Sequence, residues 1–324
     1  MNLRIMSFGF FVLFLIGCSS STHGETTTEY ASIPTTTLHE TAISAIHFGE
    51  TLVPLENPSW SHNGTMIAFS QGNRDISIVN PQTWQDVQTI CETPHYTDLV
   101  WSPDDSRIAF NSNPLCAEGE GCISKILIQQ CNVKTGEISF FPNLPEQVSN
   151  VLDWYGNKIL LGSDSFLIYD TESQTTLNLD LPFTNKQMYR TAYFADEDHI
   201  LYMGNEIEPD TYNRTGGVNP TIYLANIVTG EIEEIANAGH VNILNPSYSA
   251  SISPNGRWIG WLWIEKLGDE TIKTFNLLDL NSGEKFIALQ GDNAPHSSPS
   301  WSTDSQRLVF ITNKEIKVLE LDTP

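Results

Sequence analysis

The chain has 324 residues, 40% of them hydrophobic, and 16 lysine and arginine residues against 39 aspartate and glutamate residues, for a formal net charge of −23. This hydrophobic fraction is sufficient for a folded core, and the length allows one large domain or two ordinary ones. The acidic balance argues against nucleic-acid binding and against docking on an anionic membrane, because both need a basic face.

The N-terminal segment is predicted to be a signal peptide. Arg4 is followed by an apolar run over residues 5–16, which is short for a bilayer span and typical of a secretory leader. The run ends in Leu-Ile-Gly-Cys, which resembles the lipobox of bacterial lipoproteins. The resemblance implies a signal peptide over residues 1–18, cleavage just before Cys18, and lipidation of the retained Cys18 sulfur. An ordinary secretory signal with a chance cysteine is the alternative.

Residues 19–46 are predicted to form a flexible tether. Serine and threonine make up 13 of the 27 residues from 19 to 45, and such a stretch cannot bury much apolar area. The protein is therefore expected to be extracytoplasmic and held on the membrane by its lipid. Ser19 after the cysteine favours, by the same resemblance, the outer membrane of a Gram-negative cell, and otherwise the outer face of the cell membrane.

Four cysteines follow the tether, and an oxidising compartment favours disulfides among them. Three pairings are open. Cys116 and Cys122 bracket a short loop and are the favoured pair, and Cys91 with Cys131 would follow by elimination. A zinc site is the alternative, but the sequence has no Cys-x-x-Cys and no histidine at ligand spacing. No metal and no cofactor is predicted.

Six imperfect copies of one pattern fill the rest of the chain. The clearest, from residue 97, reads TDLVWSPDDSRIAFNSN, and related segments begin at residues 57, 151, 191, 249 and 298. Each copy has an anchor residue at the end of its first predicted strand, and the successive anchors are separated by 41, 53, 40, 58 and 49 residues. The anchors are Trp60, Trp101, Trp154, Phe194, Ile252 and Trp301. Repeats of this length are typical of solenoids, propellers and arrays.

Each copy contains four short strands joined by turn sequences rich in Pro, Asp, Asn and Gly. This predicts one all-β domain over residues 47–324, a six-bladed β-propeller with four-stranded antiparallel blades. The last copy lacks its fourth strand. Residues 50–55 are strand-like and are predicted to supply it, so that the N-terminal strand closes the ring and removes an exposed sheet edge.

The repeat P-x-W-S-P-D-G-x-x-I-A-F resembles the TolB-like (WD-repeat-like) β-propeller family. The match covers residues 50–322 and is most specific in the copies anchored at Trp60, Trp101, Ile252 and Trp301. It implies the propeller fold. The chain departs from the family's best-known form in having a lipobox and no N-terminal α/β domain, so the partners of that form do not carry over. The same propeller forms the body of oligogalacturonate lyases.

One face of such a propeller collects the loops between the fourth and first strands and between the second and third strands. The loops at 113–124, 206–219 and 265–270 are expected there. Candidate ligand- or partner-binding residues on this face are His95, Tyr96, Tyr189, Arg190, His240, Asn242 and His296. Three histidines around one funnel suggest a metal or general-base site. Their offsets from the anchors differ, however, so a structural role is the favoured interpretation.

The sequence thus predicts a lipid-anchored scaffold that binds another envelope or secreted protein as a monomer, with no catalytic residue and no contact with nucleic acid. Its acidic surface would select a basic or neutral partner. Trp258, Trp261 and Trp263 make the fifth blade the expected contact surface. The alternatives are a polysaccharide lyase or hydrolase that uses the funnel, and a sensor for a sugar or peptide.

Overall fold

The protein was analysed as a computed structural model, which describes residues 36–37, 43–47, 55–72, 75–92, 96–112, 126–146, 148–162, 165–181, 192–205, 220–237, 250–267, 270–291, 294–295, 299–312 and 315–321. These residues form 25 strands in six sheets. None of the described residues belongs to a helix long and apolar enough to cross a bilayer.

In chain order the strands are β1 (Thr36–Thr37), β2 (Ile43–His47), β3 (Leu55–Trp60), β4 (Ile67–Gln71), β5 (Asp75–Val79), β6 (Gln88–Glu92), β7 (Tyr96–Trp101), β8 (Arg107–Ser112), β9 (Leu127–Asn132), β10 (Ile138–Phe140), β11 (Asn150–Tyr155), β12 (Lys158–Gly162), β13 (Phe166–Asp170), β14 (Thr175–Leu179), β15 (Ala192–Phe194), β16 (His199–Asn205), β17 (Pro220–Asn226), β18 (Ile232–Asn237), β19 (Ala250–Ile252), β20 (Trp258–Leu267), β21 (Glu270–Asp279), β22 (Lys285–Gln290), β23 (Ser300–Trp301), β24 (Arg307–Ile311) and β25 (Glu315–Glu320).

Blades 1 to 5 each consist of four consecutive strands: β3–β6, β7–β10, β11–β14, β15–β18 and β19–β22. Blade 6 consists of β23–β25 and, at its outer edge, β2. Neighbouring strands within every blade are antiparallel. The prediction of an all-β, six-bladed propeller with four-stranded antiparallel blades is therefore confirmed.

Two N-terminal strands correct the predicted boundaries. β2 pairs antiparallel with β25, with Ile46 opposite Ile316. The prediction that residues 50–55 occupy this position is wrong, because Leu55 begins β3; residues 50–54 lie outside the described ranges. β1 adds in parallel to β22, at the outer edge of blade 5. β1 and all of β2 except its last residue thus lie inside the predicted tether. Threonine and isoleucine favour β-strands, so a segment rich in serine and threonine can still form them.

The core is divided among the interfaces between blades. Six apolar clusters are found among the described residues, each between two neighbouring blades. One of them joins Trp60 and Phe69 of blade 1 to Val309 and Val318 of blade 6, so the last blade packs against the first. All six anchor residues are buried. The first strands of successive blades also contact one another, β3 with β7, β7 with β11, and β11 with β15.

A serine fixes the turn after the first strand in the four clearest repeats. Its Oγ accepts a hydrogen bond from the backbone N–H five residues later, at 2.9 Å in each case. In blade 2 the Ser102 hydroxyl also donates to Asp104 Oδ1 at 2.6 Å, and Ser106 N–H donates to the same oxygen at 3.2 Å. A short polar side chain thus holds each of these turns, which follow the innermost strand of their blades, by local hydrogen bonds.

Candidate functional site

The predicted funnel site falls almost entirely on residues that the structure does not describe. Tyr96 begins β7, where its backbone alone is described. The residues outside the described ranges are His95, Tyr189, Arg190, His240, Asn242 and His296, together with Cys18, Cys116 and Cys122. The funnel therefore stays a prediction, as do lipidation at Cys18 and the Cys116–Cys122 disulfide.

Blade 5 differs from expectation. The predicted loop at 265–270 is largely strand, because β20 and β21 run for ten residues each and pair as far as Leu267 and Glu270. Trp258 and Trp261 are both buried between blades instead of exposed. The side chain of Trp263 lies outside the described set. The two described tryptophans thus serve the core, and blade 5 as a contact surface stays a prediction.

A disulfide links blades 1 and 2. Cys91 of β6 is bonded to Cys131 of β9, with their Cα atoms 6.4 Å apart, and both residues are buried. This is the pair expected by elimination. The disulfide joins the outer strand of blade 1 to the third strand of blade 2, so it crosslinks these two neighbouring blades near the rim of the ring. A bond of this kind persists in an oxidising compartment.

Polar contacts connect the inner turns of blades 1, 2 and 3. The Asp105 carboxylate accepts hydrogen bonds from the backbone N–H groups of His62, at 2.7 Å, and Asn63, at 3.1 Å. His62 Nε2 donates to the carbonyl oxygen of Trp154 at 3.1 Å. His62 Nδ1 is buried with no hydrogen-bond partner among the described residues and lies 3.9 Å from Asp105 Oδ1. The imidazole therefore joins blade 1 to blade 3.

A second carboxylate, Asp153, lies in the same region. It accepts hydrogen bonds from the backbone N–H of Phe194, at 2.7 Å, and from that of Trp154, at 2.9 Å. Burial raises the pKa of the Asp153 carboxyl above its ordinary value, and the two N–H groups and nearby His62 oppose this shift. Both aspartates accept backbone hydrogen bonds across blade boundaries, so we assign this cluster to holding the ring together.

In the part of the chain that the structure describes, no group of three or more His, Cys, Asp or Glu side chains is arranged to hold a metal ion.

A groove on the outer rim, between blades 3 and 4, has different properties. It encloses about 280 Å³ between β14 with the residues after it and the turn that joins β17 to β18. Leu179 and Ala225 are buried in its wall, and Ile227 is half-buried. Leu177 and Val228 border it with 50% and 72% of their surfaces exposed. This volume falls just below the range of about 300–1,000 Å³ that is usual for small-molecule pockets.

Exposed apolar side chains lie on the two hairpins that form this groove, which we call the 3–4 groove, and two of them, Leu177 and Val228, line it. The described residues include eight exposed large hydrophobic side chains, and four of them lie on β14, on the β17–β18 turn or on β18. Those four are Leu177, Val228, Ile232 and Ile235. Clustering of this kind marks an interaction site more often than scattered exposure does.

The charged residues of the two hairpins that line the 3–4 groove are all acidic. The two hairpins that line it, at residues 166–181 and 220–237, contain no lysine and no arginine. Their acidic residues are Asp170, Glu172, Asp180, Glu231, Glu233 and Glu234. Asp180 lines the groove, and Glu231 directly follows its last lining residue, Gly230. A depression lined by both apolar and polar residues, with acidic residues at its border, favours a ligand that combines apolar groups with positive charge.

One residue of the sequence, Val228, distinguishes this groove from the corresponding turns of other blades. The second turn reads NVKTGE in blade 2, NIVTGE in blade 4 and DLNSGE in blade 5, so Val228 stands where the other copies have Lys134 and Asn281. The turn geometry is the same, since its glycine has a φ of 71° in blade 2 and 74° in blade 4. A solvent-facing turn position that is apolar in one copy alone points to function there.

Comparison with known proteins finds related structures but no related sequence. No protein-family model matches the chain, and no curated protein matches it. A putative TolB from Agrobacterium tumefaciens aligns with 87% of this chain and 98% of its own, at 15% identity and a TM-score of 0.51. TolB from Acinetobacter baumannii aligns with 83% of this chain at 12% identity and a TM-score of 0.51, and 64% of its own length is spanned.

An oligogalacturonate lyase in complex with manganese is equally similar, at 10% identity and a TM-score of 0.51 over 82% of this chain and 76% of its own. At these identities the similarity shows a shared fold. This chain is thus a β-propeller that resembles both TolB-like proteins and a lyase.

Proposed function

We propose that the protein is a lipid-anchored, extracytoplasmic binding protein whose propeller docks a protein partner at the 3–4 groove, with no bond made or broken. The observation that carries this proposal is the groove itself, a depression of mixed lining bordered by exposed Leu177 and Val228 and by acidic residues. The partner is a protein segment with apolar side chains next to lysine or arginine, since that composition complements both properties of the surface.

The construction of the ring supports a scaffold role. Each interface between blades is filled by its own apolar cluster, and the inner turns are joined by hydrogen bonds across blades. Such a ring holds a rim surface in a fixed shape, so little ordering is needed when the partner binds.

The proposed location rests on two features. Leu15 to Cys18 have the lipobox pattern, and the Cys91–Cys131 disulfide is of the kind that persists outside the cytoplasm. Replacing Cys18 by serine should move the protein from the membrane fraction to the soluble fraction and abolish incorporation of labelled fatty acid. Membrane retention of Cys18→Ser with unchanged labelling would contradict the lipid anchor.

Site-specific crosslinking in the native envelope tests the binding proposal. A photoreactive amino acid replaces Val228, at the border of the groove, and in the matched control it replaces Val87, which is exposed in blade 1. We expect one discrete protein adduct from position 228 that is absent from position 87 and disappears when Leu177→Asp is added. Equal adducts from both positions, or adducts unaffected by Leu177→Asp, would contradict docking at the groove.

A further inference from the structure

We propose that the partner enters the 3–4 groove as an extended segment that pairs with the open edge of β14 and adds a fifth strand to blade 3. This inference rests on the proposed function, and it specifies how that same site binds. β14 is the last strand of its sheet, and none of the described strands pairs with its outer side. Alternate backbone N–H and C=O groups of an edge strand point away from the sheet and can pair with another chain.

The molecule itself shows that an outer edge of this ring accepts an added strand. In blade 5 the edge strand β22 pairs in parallel with β1, so that Thr36 lies opposite Phe286 and Thr37 opposite Ile287. That sheet therefore has five strands, whereas the sheet of blade 3 has four. The two edges are equivalent positions of the same repeat, one of them occupied by the N-terminal segment and the other open among the described residues.

The side chains beside β14 define what the added strand must carry. Leu177 and Leu179 are two residues apart and lie on one face of β14, the face on which Leu179 packs with Ala225 of blade 4. An apolar side chain that points from the added strand to this face would cover Leu177 and fill the groove. The side chains before and after it point to the other face of blade 3, where basic residues would lie on the side of that blade's own acidic hairpin, residues 166–181.

The acidic charge of the groove also limits which molecule can supply the added strand. Residues 19–46 of this chain contain no lysine or arginine, so the chain's own N-terminal segment lacks the complementary charge. A second copy of the protein would bring a formal charge of −23 to an acidic rim. A basic segment of a different protein is therefore the occupant that we infer.

Peptide binding to the mature full-length protein tests the strand. The probe is the fluorescently labelled peptide Lys-Val-Lys-Leu-Lys-Val-Lys, and its matched control has N-methyl groups on alternate residues, which remove backbone donors and keep charge and side chains. We expect the N-methylated peptide to bind at least about tenfold more weakly, because an added strand depends on main-chain hydrogen bonds. Raising the NaCl concentration from about 0.05 to about 0.5 M should weaken the unmodified peptide severalfold.

Variants then locate the site. Val228→Asp and Leu177→Asp should each weaken the unmodified peptide at least about tenfold, whereas the control Val87→Asp should leave its affinity unchanged. Melting temperatures within about 2 °C of the wild type would show that all three variants are folded, as expected for surface substitutions.

The outcomes separate this inference from the proposed function. If Leu177→Asp abolishes the native crosslink from position 228 but both peptides bind equally, the groove docks a partner without strand addition, and the inference is wrong while the function stands. If the peptides behave as expected but position 228 gives no specific adduct in the envelope, the proposed function is wrong. Concentration-dependent dimers in sedimentation that Val228→Asp dissolves would identify a second copy as the occupant and overturn the inference.

Discussion

The inner and outer strands of blade 3 derive from one repeat but differ sharply in what surrounds them. In β12 and β13 nearly every residue is buried, since apolar side chains on both faces pack against blades 2 and 4. In β14 three of five residues are exposed, and Leu179 alone is buried. The blades diverge toward the rim, so their outer strands lose the neighbours that cover the inner ones.

This difference separates two tasks. The inner strands hold the ring together, because a gap there exposes the cores of two interfaces at once. The outer strands tolerate change, and in different blades they take different roles: β6 carries a disulfide, β22 accepts β1, and β14 forms the wall of a groove. Stability should therefore depend on the inner positions and partner choice on the outer ones.

Leucine-to-alanine substitutions at two positions of blade 3 should differ most in their effect on the free energy of unfolding. Leu160 in β12 has no exposed surface, and Leu177 in β14 is half exposed. Leu160→Ala should lower the free energy of unfolding by about 2–5 kcal/mol, because it leaves a cavity, whereas Leu177→Ala should cost less than about 1 kcal/mol. Urea titration of both variants measures the two effects. Equal losses would show that the rim is as tightly packed as the interior.

The Cys91–Cys131 disulfide should have the next largest effect. The two cysteines are 40 residues apart, and a crosslink that closes such a loop contributes about 2–4 kcal/mol. The variant with both cysteines changed to alanine should melt at a lower temperature than the wild type and should respond less to a reducing agent. Any reductant sensitivity that remains in it would come from Cys116 and Cys122. A wild type that melts equally with and without reductant contradicts a stabilising crosslink.

The interior was the predictable part of this molecule. The repeated sequence identified all six anchors and the blade count, because residues such as Trp101 must fill the same space in every copy. Turns such as Ser102 to Asp105 followed for the same reason, since they depend on local hydrogen bonds. Edge strands carry weaker signals: β1 and β2 were assigned to a tether, and residues 50–55 were given the place of β2. Strand addition at an edge uses backbone groups, which side-chain patterns do not specify.

Contacts between blades were equally hard to predict. His62 is one residue of a serine-histidine-asparagine-glycine turn, and nothing in that sequence places its ring against the Trp154 carbonyl, 92 positions later. The 3–4 groove depends on the relative placement of two blades, which a repeat pattern does not specify. Its one signal in the sequence is the valine at position 228, where other copies have a polar residue.

A smaller effect is expected at the inner turns. Asp105→Asn keeps a side chain that tolerates the positive φ of 56° at this position, but it removes the negative charge that holds the His62 and Asn63 N–H groups. We expect a loss of about 1–2 kcal/mol, as for a charge-assisted hydrogen bond reduced to a neutral one. Denaturant unfolding measures this, with Asp86→Asn, at an exposed aspartate that also has a positive φ, as the control. A loss no greater than that of Asp86→Asn would show that the contact between blades 1 and 2 is not stabilising.

The smallest effect concerns Asp104 and depends on pH. The Ser102 hydroxyl, with further hydrogen bonds from Ser106 and the charge of Arg107, lowers the pKa of the Asp104 carboxyl to about 2. A carboxylate with a lowered pKa in the folded state stabilises the fold above its ordinary pKa of about 3.9, and this contribution is lost as the pH falls toward 2. Because the side chain is exposed, Asp104→Asn should cost less than about 1 kcal/mol at pH 6, and the difference from the wild type should shrink at pH 3. Unfolding in urea at both pH values gives this comparison. A difference that grows on acidification would mean that the turn does not stabilise the ionised carboxylate. Asp153 acts with the opposite sign: burial raises the pKa of its carboxyl, so its contribution to the stability of the fold is lost as the pH rises.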